Sequence, residues 1–149
     1  MTAHRSVDRG LLLLRAALGT VFVAHGAQKL LGFGLAGTAG FLESVGVPFP
    51  ALSAALLIGV EIGGGLALLA GLFTRLSGAL LAFAMLVALV TVHLPNGYFL
   101  PDGVEFVLTL LLGSVALTQS GAGRYSLDAR LSGRTDVPAR ADEDVRIAA

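Results

Sequence analysis

The chain of 149 residues is 55% hydrophobic and only 13% charged, with a mean hydropathy of +0.83; a soluble domain carries about 25% charged residues and about 45–50% apolar ones. Ten basic and ten acidic residues cancel to zero net charge, so the basic excess of a nucleic-acid binder is missing and no nucleic-acid partner is expected. With no cysteine in the chain, disulfides, thiolate catalysis, zinc–thiolate centres and thiol-ligated iron–sulfur clusters are excluded, and no metal site is expected.

About 20 predominantly apolar residues are needed to cross a bilayer as a helix. Runs that meet this demand predict four spans, at 10–31, 51–73, 76–94 and 104–120. Each is rich in Leu, Ala, Val and Gly on all faces, which in so short a chain points to lipid rather than to a large protein core. The fold class expected is therefore all-α, an integral membrane four-helix bundle. Before it, residues 1–9 form a polar N-terminus. Between the first two spans, 32–50 is rich in Gly and Pro and reads as a loop, with a short interfacial helix from Thr38 to Val45 capped by Thr38. Thr74-Arg75 forms a tight second connection, so its flanking spans are antiparallel neighbours. Residues 95–103 form the third, with Pro95-Asn96-Gly97 as a turn. The membrane domain is expected to cover 10–123, and 124–149 to form a polar, loosely ordered tail.

The basic residues set an orientation. Arg5 and Arg9 precede the first span, Arg75 lies between the second and third, and five arginines follow the fourth. The other two connections carry Glu43 and Asp102 but no Lys or Arg. By the positive-inside rule both termini are cytoplasmic in a multi-pass protein of the cell membrane. A cleaved signal peptide is the competing reading of residues 1–30, but Arg15 interrupts its apolar region and no Ala-x-Ala site follows.

Charges within the spans are the candidate functional residues, because each costs about 2.5–3.5 kcal/mol on insertion and needs a partner or a purpose. Arg15, His25 and Lys29 share one stripe of the first span. Glu61 lies mid-span in the second, too deep to snorkel to water, and the leaning of side chains towards their helix N-termini leaves either His25 or Arg15 as its partner. His93 ends the third span and Glu105 opens the fourth, so that with Lys29 they would line a polar pocket near the outer leaflet. The bland reading makes these last three interfacial residues in contact with headgroups. Gly59, Gly63, Ala67 and Gly71 recur every fourth residue of span two. Such a small-residue stripe permits close helix approach, expected inside the bundle, with a homo-oligomer contact as the alternative.

Several segments together resemble the DoxX family of small membrane proteins: LLRAALGTVFVAHGAQKLLGFG at 13–34, ESVGVPFP at 43–50, GVEIGGGLALLAGLFTRLSG at 59–78, HLPNGYF at 93–99 and GAGRYSLDARL at 121–131. The family's polar positions coincide with Arg15, His25, Lys29, Glu61, His93 and Glu105. The resemblance implies a membrane subunit of a redox complex, related to subunits of thiosulfate:quinone oxidoreductase and linked to oxidative stress. On that reading a quinone is the candidate cofactor, and redox or stress-response proteins are the partners. Distant relatives that act as chaperones or cargo receptors imply the alternative of a non-enzymatic membrane scaffold. Transport of protons or a small solute is a third reading, disfavoured by the small number of spans. No nucleophile–base arrangement or cofactor fingerprint marks a self-sufficient enzyme.

Overall fold

A computed structural model describes residues 2–133. All regular structure among them is helical. The chain runs through α1 (Thr2–Ala27), a π-helical segment (Gln28–Phe33), α2 (Gly34–Ser44), α3 (Pro50–Ala70) and α4 (Thr74–Ala88). A second π-helical segment (Leu89–His93), a 3-10 turn (Leu94–Asn96), α5 (Val104–Ser120) and α6 (Leu127–Leu131) follow. Three continuous helical stretches are long and apolar enough to cross a membrane: Arg5–Ser44, Pro50–Ala70 and Thr74–Asn96. The fourth apolar helix, α5, has only 17 residues, roughly 25 Å at helical rise against a hydrocarbon core of about 30 Å.

α1 packs antiparallel on α3, and α4 on α5; contact between α3 and α4 joins the two pairs, and α1 touches α5. The core between them consists of Leu18, Phe22, Leu68, Leu81, Met85, Val107, Leu110 and Leu117. Around it the usual soluble pattern is inverted. Leu13, Leu31, Leu52, Phe83 and Leu112 face outward, each more than half exposed, while Arg15, Glu61, Thr74, Ser77 and Ser114 are buried. An apolar exterior around a partly polar interior suits lipid as the outer solvent.

Glycines set how closely the helices approach. A Cβ on Gly19 would fall 2.8 Å from the Gly65 carbonyl oxygen, and one on Gly65 would fall 2.9 Å from that of Gly19. Since lipid gives no hydrophobic drive to helix association, backbone approach of this kind supplies the packing. The expected small-residue stripe does not do so. Gly59 and Gly63 would accept a Cβ with nothing within 4 Å, so they face away from the other helices. The inward face of α3 is instead Ala54, Ile58, Glu61, Gly65 and Leu68, spaced by three and four residues around the buried carboxylate.

Two of the three connections differ from expectation. The helix expected from Thr38 begins four residues earlier, so that 34–44 is all helix, and α2 packs on α3. Gly34, at φ 69°, makes the break before it. Thr38 is no N-cap: it is buried within α2, and its hydroxyl donates to the Gly34 carbonyl at 3.0 Å. The second turn lies at 71–73 rather than at Thr74-Arg75, because Gly71 adopts φ 68° and closes a Schellman motif, with Leu72 N–H on the Ala67 carbonyl and Gly71 N–H on that of Leu68. Thr74 and Arg75 are already the first turn of α4. The Pro95-Asn96-Gly97 turn is present, as a 3-10 turn ended by Gly97 at φ 81°.

The expected loosely ordered tail does not begin at 124. Ser126 caps α6, its Oγ accepting the Ala129 N–H at 3.1 Å, and residues 124–128 fold back on the bundle. Residues 134–149 of that tail, with Arg134, Arg140 and Arg146, lie outside the described residues.

Candidate functional site

The intramembrane charges separate into three groups along the bundle. In the middle, Lys29 Nζ donates to both carboxylate oxygens of Glu61, at 2.9 and 2.8 Å. The Glu61 side chain is 2% exposed and that of Lys29 22%. Neither Arg15 nor His25 is the partner that helix depth suggested. The reason is the register of α1 on α3. A Cβ on Gly26 would meet Ile62 and the Glu61 side chain, so those levels coincide, and Lys29 lies three residues, about 4.5 Å, beyond. Lys29 leans back along α1 and Glu61 leans back along α3. On antiparallel helices these tilts converge.

The backbone at Lys29 is wider than an α-helix, within the π-helical Gln28–Phe33. Thr38 Oγ1 lies 3.4 Å from the Lys29 carbonyl oxygen as well as bonding that of Gly34, so α2 ties down the widened turn. Such segments inside helices recur at functional positions. One turn before Lys29, His25 is half-buried and its ring lies against Phe106 of α5, with centroids 5.9 Å apart at 42°.

The second group is at the 94–103 loop. Here His93 Nδ1 lies 2.8 Å from the Asp102 carbonyl oxygen, and Glu105 Oε1 accepts the Leu100 N–H at 2.8 Å. Both residues hold the loop to the helix ends. Gly103 is required, since a Cβ there would overlap the carbonyl groups of Tyr98 and Phe99. The structure therefore does not gather His93 and Glu105 with Lys29 into one hydrogen-bonded cluster.

Arg15 belongs to the third group, at the opposite end. It is 1% exposed, and its Nη2 donates to the Tyr125 carbonyl, while Nε and Nη1 have no hydrogen-bond partner among the described residues. Gly71 leaves the space that its guanidinium occupies. Asp128 supplies an opposing charge and also accepts the Phe73 and Thr74 N–H groups, at 2.8 and 2.9 Å, capping the free donors at the start of α4. The Asp128 N–H in turn bonds the Gly71 carbonyl, and Asp8 Oδ1 accepts the Arg124 N–H at 3.0 Å. Residues 124–128 thus close this end of the bundle. Sequence reasoning assigned no role to Asp128, although Ser126, a residue type that favours helix N-caps, stands two positions before it in the segment GAGRYSLDARL.

Two cavities also open at this end. One of about 630 Å³ is lined by residues including Asp8, Phe73, Thr74, Arg75, Ser120, Gly121, Arg124 and Asp128. The other, about 210 Å³, lies among Arg5, Asp8, Arg124 and Tyr125. Neither includes His25, Lys29 or Glu61.

Together these features define a small helical membrane protein with an ion pair inside an apolar wall. The chain belongs to the DoxX family, whose model matches residues 10–94, more than half its length. It is 34% identical to "Putative oxidoreductase CatD" of Bacillus subtilis over 125 residues, covering 84% of this chain and 89% of the relative. It is also 34% identical to the uncharacterized membrane protein Rv3486 of Mycobacterium tuberculosis, over 88% of this chain and 86% of that one. Identity is again 34% with the inner membrane protein YqjF of Escherichia coli, over 84% and 94%. No solved structure matches.

Proposed function

We propose that the protein is the membrane subunit of a redox complex that holds a quinone headgroup beside Lys29. The observation that carries this reading is the Lys29–Glu61 pair itself, with a lysine side chain 22% exposed on a glutamate side chain only 2% exposed. An ammonium has three N–H donors and the carboxylate engages two directions of it, so one remains for a carbonyl oxygen. His25 offers a ring nitrogen one helical turn away, and Phe106, against it, offers an aromatic face. These groups fit a flat, lipophilic dicarbonyl. A quinone would supply two-electron, two-proton redox chemistry. The chain's own part is to orient the headgroup through Lys29 and to hold a proton reserve on the Lys29–Glu61 pair. With no cysteine in the chain, the electrons on this reading are supplied from outside it. The name of the Bacillus relative as a putative oxidoreductase is in keeping with this.

On the same reading α5 is a fourth crossing, and both termini lie on the cytoplasmic side of the cell membrane, where the positive-inside rule puts Arg5, Arg9, Arg75 and Arg124. The test is to purify the protein in mild detergent, extract it for quinone by liquid chromatography, and titrate it with a short-chain quinone. Co-purified quinone, and binding weakened at least tenfold in Lys29→Met, are expected. Quinone content no higher than in an unrelated membrane protein, with no saturable titration, overturns the reading.

The second reading, a non-enzymatic scaffold, is favoured by one observation: both oxygens of Glu61 are taken by Lys29. A pair so closed on itself also fixes helix register.

A further inference from the structure

The cavity at the Arg15 end of the bundle has no place in the quinone reading, and its chemistry differs from that of the Lys29 site. At about 630 Å³ it falls within the usual range of small-ligand sites, about 300–1,000 Å³. Its walls come from three parts of the chain: the start of α1, the α3–α4 turn, and the segment after α5. Arg75 and Arg124 face it from different walls. Arg75 is exposed, has no hydrogen-bond or ion-pair partner among the described residues, and rests over Gly121, with Nε 3.3 Å from where a Cβ would be.

Two carboxylates also line the cavity, and both are engaged. Asp128 accepts the Phe73 and Thr74 N–H groups and has buried Arg15 as an opposing charge. Asp8 accepts the Arg124 N–H. The cavity therefore holds Arg75 with no partner among the described residues, beside Arg124, while both carboxylates accept backbone N–H groups. Guanidinium groups pair with phosphate through charge-assisted hydrogen bonds, in which the phosphate oxygens accept.

The rim of the cavity is apolar and faces outward. Phe73 is 66% exposed and Leu76 60%, and further along α4 Leu80 and Phe83 are exposed in line with them. Spacing by three and four residues puts these on one helix face. A charged recess that opens onto such a face matches an amphiphile, with the phosphate inside and acyl chains along the helix. Basic recesses between helices at a membrane surface bind anionic headgroups in this way.

We propose that this cavity is a binding site for the headgroup of an anionic phospholipid, held by Arg75, with its acyl chains laid along Leu76, Leu80 and Phe83 of α4.

The test is native mass spectrometry of the full chain, released from nanodiscs containing equal amounts of phosphatidylglycerol and phosphatidylcholine with identical acyl chains. Phosphatidylglycerol should be retained in about fivefold excess, the preference expected for one arginine near a surface. Arg75→Gln should abolish that excess and Arg75→Lys restore part of it. Ser120→Glu, which adds a negative charge to an exposed lining position, should also abolish it. Arg9→Gln removes a basic residue outside the cavity lining and should change nothing. Equal retention of the two lipids, or an Arg75→Gln effect no larger than that of Arg9→Gln, overturns the proposal. Binding of inorganic phosphate or glycerol 3-phosphate as tight as that of the lipid also overturns it, in favour of a soluble anion.

Discussion

At the residue scale the decisive feature is the pairing of Glu61. The carboxylate was legible from its depth alone, because a mid-span acid cannot reach water. Its partner was not, because the partner depends on the sliding of α1 against α3. That register is set by the contacts of Gly19 with Gly65 and of Gly26 with Ile62, which no hydropathy pattern records. Removing one member of a buried pair leaves the other charge uncompensated, a loss of about 3–5 kcal/mol, whereas replacing both by apolar groups is often neutral. Partial exposure of Lys29 places the expected cost of Glu61→Gln near the lower limit, about 3 kcal/mol. The double variant Lys29→Met with Glu61→Leu should recover most of it. Thermal unfolding in detergent measures both, and a double variant less stable than Glu61→Gln would contradict the pairing. The same double variant separates the two functional readings. As a stable protein without the ammonium it should lose quinone binding, whereas a scaffold whose charges only lock register should keep its partners.

Secondary-structure elements show a different balance between what the sequence reveals and what it hides. Spans two and three were legible because their apolar windows leave no alternative, and their helices end within a few residues of expectation. The part of α2 from Thr38 was legible as a short helix, but the glycines before it read as loop and hid its start and its packing on α3. The closing segment 124–131 was hidden by its polarity: its order depends on Asp8, Arg15 and Gly71, all distant in sequence. Within α3 the glycines look alike in sequence and differ in surroundings. Gly65 touches the backbone of α1, while Gly63 has nothing within 4 Å. Alanine is favoured over glycine by about 0.5–1 kcal/mol in a helix interior. Gly63→Ala should therefore raise the unfolding temperature, and Gly59→Ala likewise. Gly65→Ala forces a Cβ to 2.9 Å from the Gly19 carbonyl oxygen and to 3.0 Å from Val23 N, so it should lower the unfolding temperature and weaken the Lys29–Glu61 pair. If all three alanine variants changed stability alike, the glycine contacts would not be what seats α1 on α3.

For the whole molecule the question is how the bundle sits in the bilayer. Contact of Asp8 with Arg124 brings the N-terminal segment and the segment after α5 to one end, together with the α3–α4 turn that carries Arg75. At the other end lie Glu43 and the 94–103 loop with Asp102. The charge asymmetry is thus axial in three dimensions and not merely alternate along the chain, which is the arrangement on which the positive-inside rule acts. α5 is the weak point, because its 17 residues span less than a typical hydrocarbon core. Tilt cannot help a short helix, but local thinning of the bilayer can, at fractions of a kcal/mol per Å. The absence of native cysteine allows single-cysteine variants at exposed positions without further change. A membrane-impermeant maleimide applied to intact spheroplasts should label Glu43→Cys and Asp102→Cys, and should reach Ser120→Cys and Ser132→Cys only after lysis. Labelling of Asp102→Cys and Ser120→Cys from the same side would mean that α5 does not cross. Full reversal would put the basic end outside, and with it the Arg75 cavity, in the leaflet opposite to the one its charge predicts.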